Sequence, residues 1–99
     1  MSLAFRFVIQ SNVGVIRKSN EDCGLGSTKL IAVADGMGGH AAGEVASSTV
    51  IQTFKDELDS LPQISSDFSS WLIETTNLAH ASIGDLIAAD PEKRGMGTT

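Results

Sequence analysis

The chain has 99 residues, 41% of them hydrophobic and 19% charged, a balance that suits one small globular unit and not a disordered tail. Seven basic side chains against twelve acidic ones leave a net charge of −5, which disfavours nucleic acid and anionic membranes as partners and suits a site that collects divalent cations. The single cysteine, Cys23, excludes an internal disulfide framework and a four-cysteine zinc site.

The longest apolar run, residues 30–34, is far short of the roughly 20 residues of a spanning helix. No basic-then-apolar signal segment opens the sequence, so the expected address is cytoplasmic. Aromatic residues are 5% and Tyr is absent, so the core must be aliphatic and alanine-rich.

In chain order, Phe5, Phe7 and Ile9 alternate with Arg6, Val8 and Gln10, which predicts a strand with one buried face. Residues 11–14 read as a turn, and residues 22–26 as a short strand weakened by Gly24 and Gly26. Residues 29–35 read KLIAVAD, a near-continuous apolar run that predicts a strand buried on both faces and ending at Asp35. The spacing of these two segments predicts a hairpin. Residues 36–43 hold four glycines and read as a loop.

A helix is predicted from about residue 42 to 60, with Ala46, Val50, Phe54, Leu58 and Leu61 on one stripe and Pro62 as its stop. A second runs to about residue 90, capped by Ser65, Ser66 or Asp67, with the stripe Phe68, Leu72, Thr75, Ala79, Ile83, Leu86 and Ile87. The tripeptide Gly36-Met37-Gly38 recurs as Gly95-Met96-Gly97, which reads as two separate turns. Two amphipathic helices need more surface than three short strands supply. The expectation is that they pack on a sheet whose remaining strands lie elsewhere.

Asp35 follows a buried strand and has no Lys or Arg near it in sequence. Such a carboxylate is costly unless a cation or several donors satisfy it, and Mg²⁺ or Mn²⁺ would do so. Gly36 would offer its carbonyl unobstructed. The plainer alternative is a loop Asp bonded to its own backbone amides. Upstream, Arg17 is a planar fork suited to a phosphate. Glu21 and Asp22 are adjacent, so in an extended segment they point to opposite sides. At most one reaches a shared site directly, and the other could hold a metal-bound water. Their plainer alternative is a solvated charged loop. His40 titrates near neutrality and could protonate a leaving alkoxide, or simply sit in its loop. His80 and Trp71 read as structural, and Cys23 lacks an activating base.

Arg17, Glu21-Asp22, the run DGMGGHAAGE from Asp35 to Glu44, and the closing Gly95-Met96-Gly97-Thr98-Thr99 occur in that order. Over about residues 8–99 the whole resembles the amino-terminal part of the metal-dependent protein serine/threonine phosphatases, the protein phosphatase 2C family, and most of all the compact bacterial type.

The resemblance implies an α+β fold, an antiparallel sheet carrying a pair of antiparallel helices, as part of a four-layer α-β-β-α sandwich. Residues 1–99 would then be an amino-terminal fragment of a single catalytic domain. It implies hydrolysis of phosphoserine and phosphothreonine in proteins at a centre of two Mg²⁺ or Mn²⁺ ions. Asp35 would bridge the ions, the Gly36 carbonyl would bind one, Glu21 and Asp22 would orient waters, and Arg17 would hold the phosphate. Some family members use a His directly after the Asp-Gly pair as general acid. Here Met37 stands there, and the role would fall to His40. Further metal-binding aspartates of the family come from a second half not present in these 99 residues. The fragment alone is therefore expected to bind metal weakly and turn over little.

Two other readings compete. Gly36-Met37-Gly38-Gly39-His40-Ala41 fits the G-x-G-x-x-A fingerprint of a nucleotide-binding module, with Asp59 placed to reach a ribose. Alternatively the chain is a non-catalytic piece that self-associates through unfinished sheet edges.

Overall fold

The computed structural model describes residues 4, 6, 8–11, 20–39, 41–61 and 65–99. Strand β1 (Asp22–Gly26) and strand β2 (Ile31–Met37) form an antiparallel hairpin. Its turn is closed by Ser27, whose N–H donates to the Leu30 carbonyl at 2.9 Å and whose hydroxyl oxygen accepts from the Lys29 and Leu30 N–H groups at 3.2 and 2.8 Å. Helix α1 (Ala42–Asp56) follows, then a tight 3₁₀ turn (Leu58–Ser60), helix α2 (Ser65–Ala89), a second 3₁₀ turn (Pro91–Lys93) and strand β3 (Gly97–Thr98). β3 pairs antiparallel with the far end of β2, giving the sheet order β1-β2-β3.

The layering follows from the side-chain pattern. On one face of the sheet Leu25 and Ala34 pack with Ile51 of α1, joined by Cys23, Ala32, Phe54 and Leu58. On the other side of α1, Ala42 and Ala46 pack with Met96, Val45 and the α2 residues Ile83, Leu86 and Ile87. Phe54, near the carboxyl end of α1, meets Trp71 near the start of α2, so the two helices run antiparallel. α1 is the layer between sheet and α2. The result is a slab only 16 Å thick along its shortest Cα axis.

β2 differs from its sequence reading in two ways. It is not buried on both faces: Ala32, Ala34 and Gly36 face α1, whereas Val33 is 74% exposed and Met37 60%. Nor does it stop at Asp35, because β3 pairs Gly36 with Thr98 and Met37 with Gly97 and so carries the strand onward. For the same reason the two Gly-Met-Gly tripeptides are not separate turns. They lie side by side, and a Cβ on Gly38 would sit 3.2 Å from the Met96 Cα. The strand expected at residues 5–9 is not seen at residues 6, 8 and 9; Phe5 and Phe7 lie outside the described residues. Ile9 nonetheless lies against β1, its side chain 3.4 Å from where a Gly24 Cβ would be.

Both helices keep most of their predicted stripes, Ala46, Phe54, Leu58 and Leu61 in α1 and its turn and Thr75, Ala79, Ile83, Leu86 and Ile87 in α2, and depart from them in detail. α1 ends at Asp56 and not at residue 60, because the Glu57 carbonyl takes the Ser60 N–H at 3.1 Å and the Trp71 indole N–H at 3.3 Å, which tightens the chain into the 3₁₀ turn. Ile51 is buried, while Val50 is half-buried. In α2 the seam runs through Trp71, Thr75 and Ala79, and Leu72 is turned outward. Trp71 and Leu72 each stand three or four residues from both Phe68 and Thr75, so spacing admits either, and the ring contacts with Phe54 and Phe68 put Trp71 in the seam. Glu44 in the first turn of α1 and Lys55 in the last complement the helix dipole.

Asp90 caps the turn before β3. Its carboxylate accepts from the Lys93 ammonium at 2.7 Å and from the Glu92 N–H at 3.1 Å, and these bonds hold its carboxyl below the usual aspartate range. The folded state therefore binds fewer protons here than the unfolded chain. The stabilisation is present above the ordinary aspartate value and fades as pH falls below about 4. Thermal melts should separate the native chain from Asp90→Asn at pH 7, and the gap should close toward pH 3.

Candidate metal centre

β1 and β2 bring the predicted acidic residues together by register. Asp22 stands directly opposite Asp35, so both side chains leave the same face of the sheet. It is the face that α1 does not cover, and both residues are exposed. Glu21 diverges, as expected of adjacent residues in an extended segment. Its carboxylate lies against Gly43 in the first turn of α1, where a Cβ would come within 2.7 Å of Cδ and Oε2.

Three hydrogen bonds hold the Asp35 backbone from the β3 edge. Its N–H donates to the Thr99 carbonyl at 2.7 Å, and its own carbonyl accepts from the Thr99 N–H and the Thr98 hydroxyl, both at 2.9 Å. The next peptide is fixed on the other edge, where the Gly36 N–H donates to the Glu21 carbonyl at 3.1 Å. Asn20 secures the entry to β1: its side-chain oxygen accepts from the Asp22 N–H at 3.0 Å and its amide donates to the Ser11 hydroxyl. Thr98 and Thr99 are the positioning residues that sequence reasoning passed over. The repeated Gly-Met-Gly tripeptide was the available signal.

Gly36 is buried under the same corner. A Cβ there would lie 1.8 Å from the Gly43 carbonyl oxygen and 3.0 Å from the Glu21 carbonyl oxygen, so β2 and the first turn of α1 touch backbone to backbone. Ala41, which precedes α1, adopts a left-handed conformation with φ of 62° and offers no side-chain cap. Arg17 and His40 lie outside the described residues. His80 is exposed on α2, and Cys23 packs in the sheet–helix core.

Two carboxylates set opposite each other repel. Among the described residues neither forms an ion pair; the one salt bridge recorded is Lys93–Asp90. Carboxylate oxygens on an open face are the donor type that Mg²⁺ and Mn²⁺ prefer. The pair therefore fits a hard divalent cation, though only as part of its shell, since no group of three or more His, Cys, Asp or Glu converges among the described residues. The repulsion makes a prediction. Without metal, Asp22→Asn should stabilise the chain by a few tenths of a kcal/mol, the exposed-pair scale, read as a small rise in melting temperature.

The glycine loop does not belong to a dinucleotide-binding unit. Both strand pairings are antiparallel, and the chain leaves α1 for α2 instead of returning to a parallel strand. Asp59 sits beyond the far end of the 15-residue α1, about 22 Å from the loop at helical rise, and reaches no ribose there.

No protein-family model matches the chain. It is nevertheless homologous to bacterial serine/threonine phosphatases of the protein phosphatase 2C type, matching part of their length. The serine/threonine protein phosphatase PstP of Mycobacterium tuberculosis is 37% identical over 99 residues, all of this chain and 19% of PstP. The serine/threonine phosphatase stp of Listeria monocytogenes is 32% identical over 93 residues, 87% of this chain and 37% of that protein. The crystal structure of Mycobacterium tuberculosis PstP superposes with a TM-score of 0.90 at 38% identity, over 98% of this chain and 40% of that one. A structure of the PstP catalytic domain in complex with two manganese ions gives a TM-score of 0.89 over 99% of this chain and 42% of that one. The chain thus spans well under half of these relatives, and its three-stranded sheet with two helices is part of their phosphatase domain fold.

Proposed function

We propose that this chain supplies one corner of the metal centre of a protein phosphatase 2C-type enzyme that hydrolyses phosphoserine and phosphothreonine in proteins. The observation that carries the reading is the register that places Asp22 opposite Asp35 on an open sheet face, within a fold shared with PstP. Asp35, Asp22 and the Gly36 carbonyl are the groups assigned to Mn²⁺ or Mg²⁺. Two such ions would supply positive charge and Lewis acidity to phosphate-ester hydrolysis. Thr98 and Thr99 fix the Asp35 backbone so that its carboxylate arrives without reorganisation. Arg17 is assigned to the substrate phosphate and His40 to the proton of the leaving group. With two carboxylates the corner holds metal weakly, so the 99 residues alone turn over little.

The test is a fusion in which the chain replaces the matching segment of the PstP catalytic domain. The fusion should hydrolyse a phosphothreonine peptide in a Mn²⁺-dependent manner, while the 99-residue chain alone stays near background. A folded fusion with no activity overturns the phosphatase reading, and robust turnover by the short chain overturns the incomplete centre.

A second reading rests on the sheet face left open among the described residues, where Ile31 is 46%, Met37 60% and Val33 74% exposed. We propose that isolated chains associate through it. Light scattering should find species larger than a monomer, and a clean monomer at high concentration contradicts this.

A further inference from the structure

Of the three acidic residues predicted for the metal centre, Glu21 alone turns its carboxylate away from the shared face. Three residues meet where it goes. The Glu21 carbonyl accepts the Gly36 N–H at 3.1 Å, the Gly43 carbonyl oxygen occupies the space a Gly36 Cβ would need, and the Glu21 carboxylate occupies the space a Gly43 Cβ would need. A Gly43 Cβ would also come within 2.9 Å of the Met37 N. Two of these residues adjoin a site carboxylate, since Glu21 precedes Asp22 and Gly36 follows Asp35.

We propose that Gly43 is a positioning residue for the metal-binding carboxylates: its missing side chain seats Glu21 against the first turn of α1, and that seat sets the distance between Asp22 and Asp35. Glu21 then works through packing from the helix side of the sheet. Nothing larger than glycine leaves the seat open, because one obstacle is a side chain and the other is backbone. The Met37 N is backbone, so rotating Glu21 alone does not admit a Gly43 Cβ: β2 must lift from α1, the bond from the Gly36 N–H to the Glu21 carbonyl lengthens, and β1 slides relative to β2 at the level of the acidic pair. Ions that need both carboxylates register such a slide as lost affinity.

The inference rests on the metal-centre reading, and the experiment separates the two. Mn²⁺ affinity is measured on the 99-residue chain from the free-ion signal in electron paramagnetic resonance, with Trp71 fluorescence and circular dichroism reporting the fold. If the native chain binds no Mn²⁺ that Asp35→Asn removes, the metal reading fails, and the seat with it. If it does bind, Gly43→Ala should weaken binding about tenfold or more with the fold retained. Native-like affinity in folded Gly43→Ala overturns the proposal.

Should Gly43→Ala not fold, the Glu21 variants decide. Glu21→Ala empties the seat and should weaken binding several-fold. Glu21→Gln keeps the shape and should stay within about twofold of the native chain. A Gln variant as weak as the Ala variant overturns the proposal, because Glu21 would then act by charge at the ion.

Discussion

Gly36→Ala should give a chain that does not reach the native fold at 25 °C. The added Cβ would lie 1.8 Å from the Gly43 carbonyl oxygen and 2.5 Å from the Gly43 carbonyl carbon. Those atoms are backbone, in the first turn of a helix whose neighbours Ala42, Ala46 and Ser47 are all buried, so they have nowhere to withdraw. Overpacking a core ordinarily costs about 1–3 kcal/mol, because side chains can change rotamer. Here a strand must lift off a helix, and the loss should exceed that range. For a small unit this is a large share of the whole stability. Circular dichroism and tryptophan fluorescence check it directly: a cooperative melt within a few degrees of the native chain would show that the strand and helix do not touch as described.

Trp71→Ala should cost about 3–5 kcal/mol, the usual range for removing a large buried aromatic. Trp71 is 6% exposed and lies edge-on to Phe54 at 5.8 Å and nearly parallel to Phe68 at 5.9 Å. Its indole N–H also donates to the Glu57 carbonyl and, at 3.1 Å, to the Ser60 hydroxyl. One side chain therefore ties the start of α2 to the end of α1 and to the 3₁₀ turn between them. Trp71→Phe keeps most of the packing and loses the donor, so it should cost about 1–2 kcal/mol. Urea denaturation followed by circular dichroism measures both variants. Equal losses in the two would place the stabilisation in the hydrogen bonds and contradict the packing argument.

Much of this arrangement is legible in the residues themselves. The hairpin follows from two apolar segments around Ser27-Thr28-Lys29, and both helices follow from their apolar spacing. The divergence of Glu21 and Asp22 needs only the period-two geometry of an extended segment. What the sequence hides is set by contacts distant along the chain. Asp35 lies inside a strand because Thr98, 63 residues later, pairs beside it, and no local pattern announces that. The KLIAVAD segment reads as doubly buried because apolar content reports what a strand is suited to meet. The Ile31–Val33–Met37 face is apolar yet open among the described residues. Leu72 and Trp71 compete for the same seam, and the choice falls to ring contacts with Phe54 and Phe68 that spacing does not encode. The acidic corner was legible as a set of residue types. Its assembly required the β1–β2 register, which fixes Asp22 opposite Asp35 and not a residue to either side.

The most direct measurement is Mn²⁺-induced broadening of backbone amide signals in the 99-residue chain and in its Asp35→Asn variant. The expected result is broadening that starts at the amides of Asp22, Asp35 and Gly36 and disappears in the variant. Broadening spread evenly over the acidic surface, or unchanged by Asp35→Asn, would contradict a cation site at the facing carboxylates.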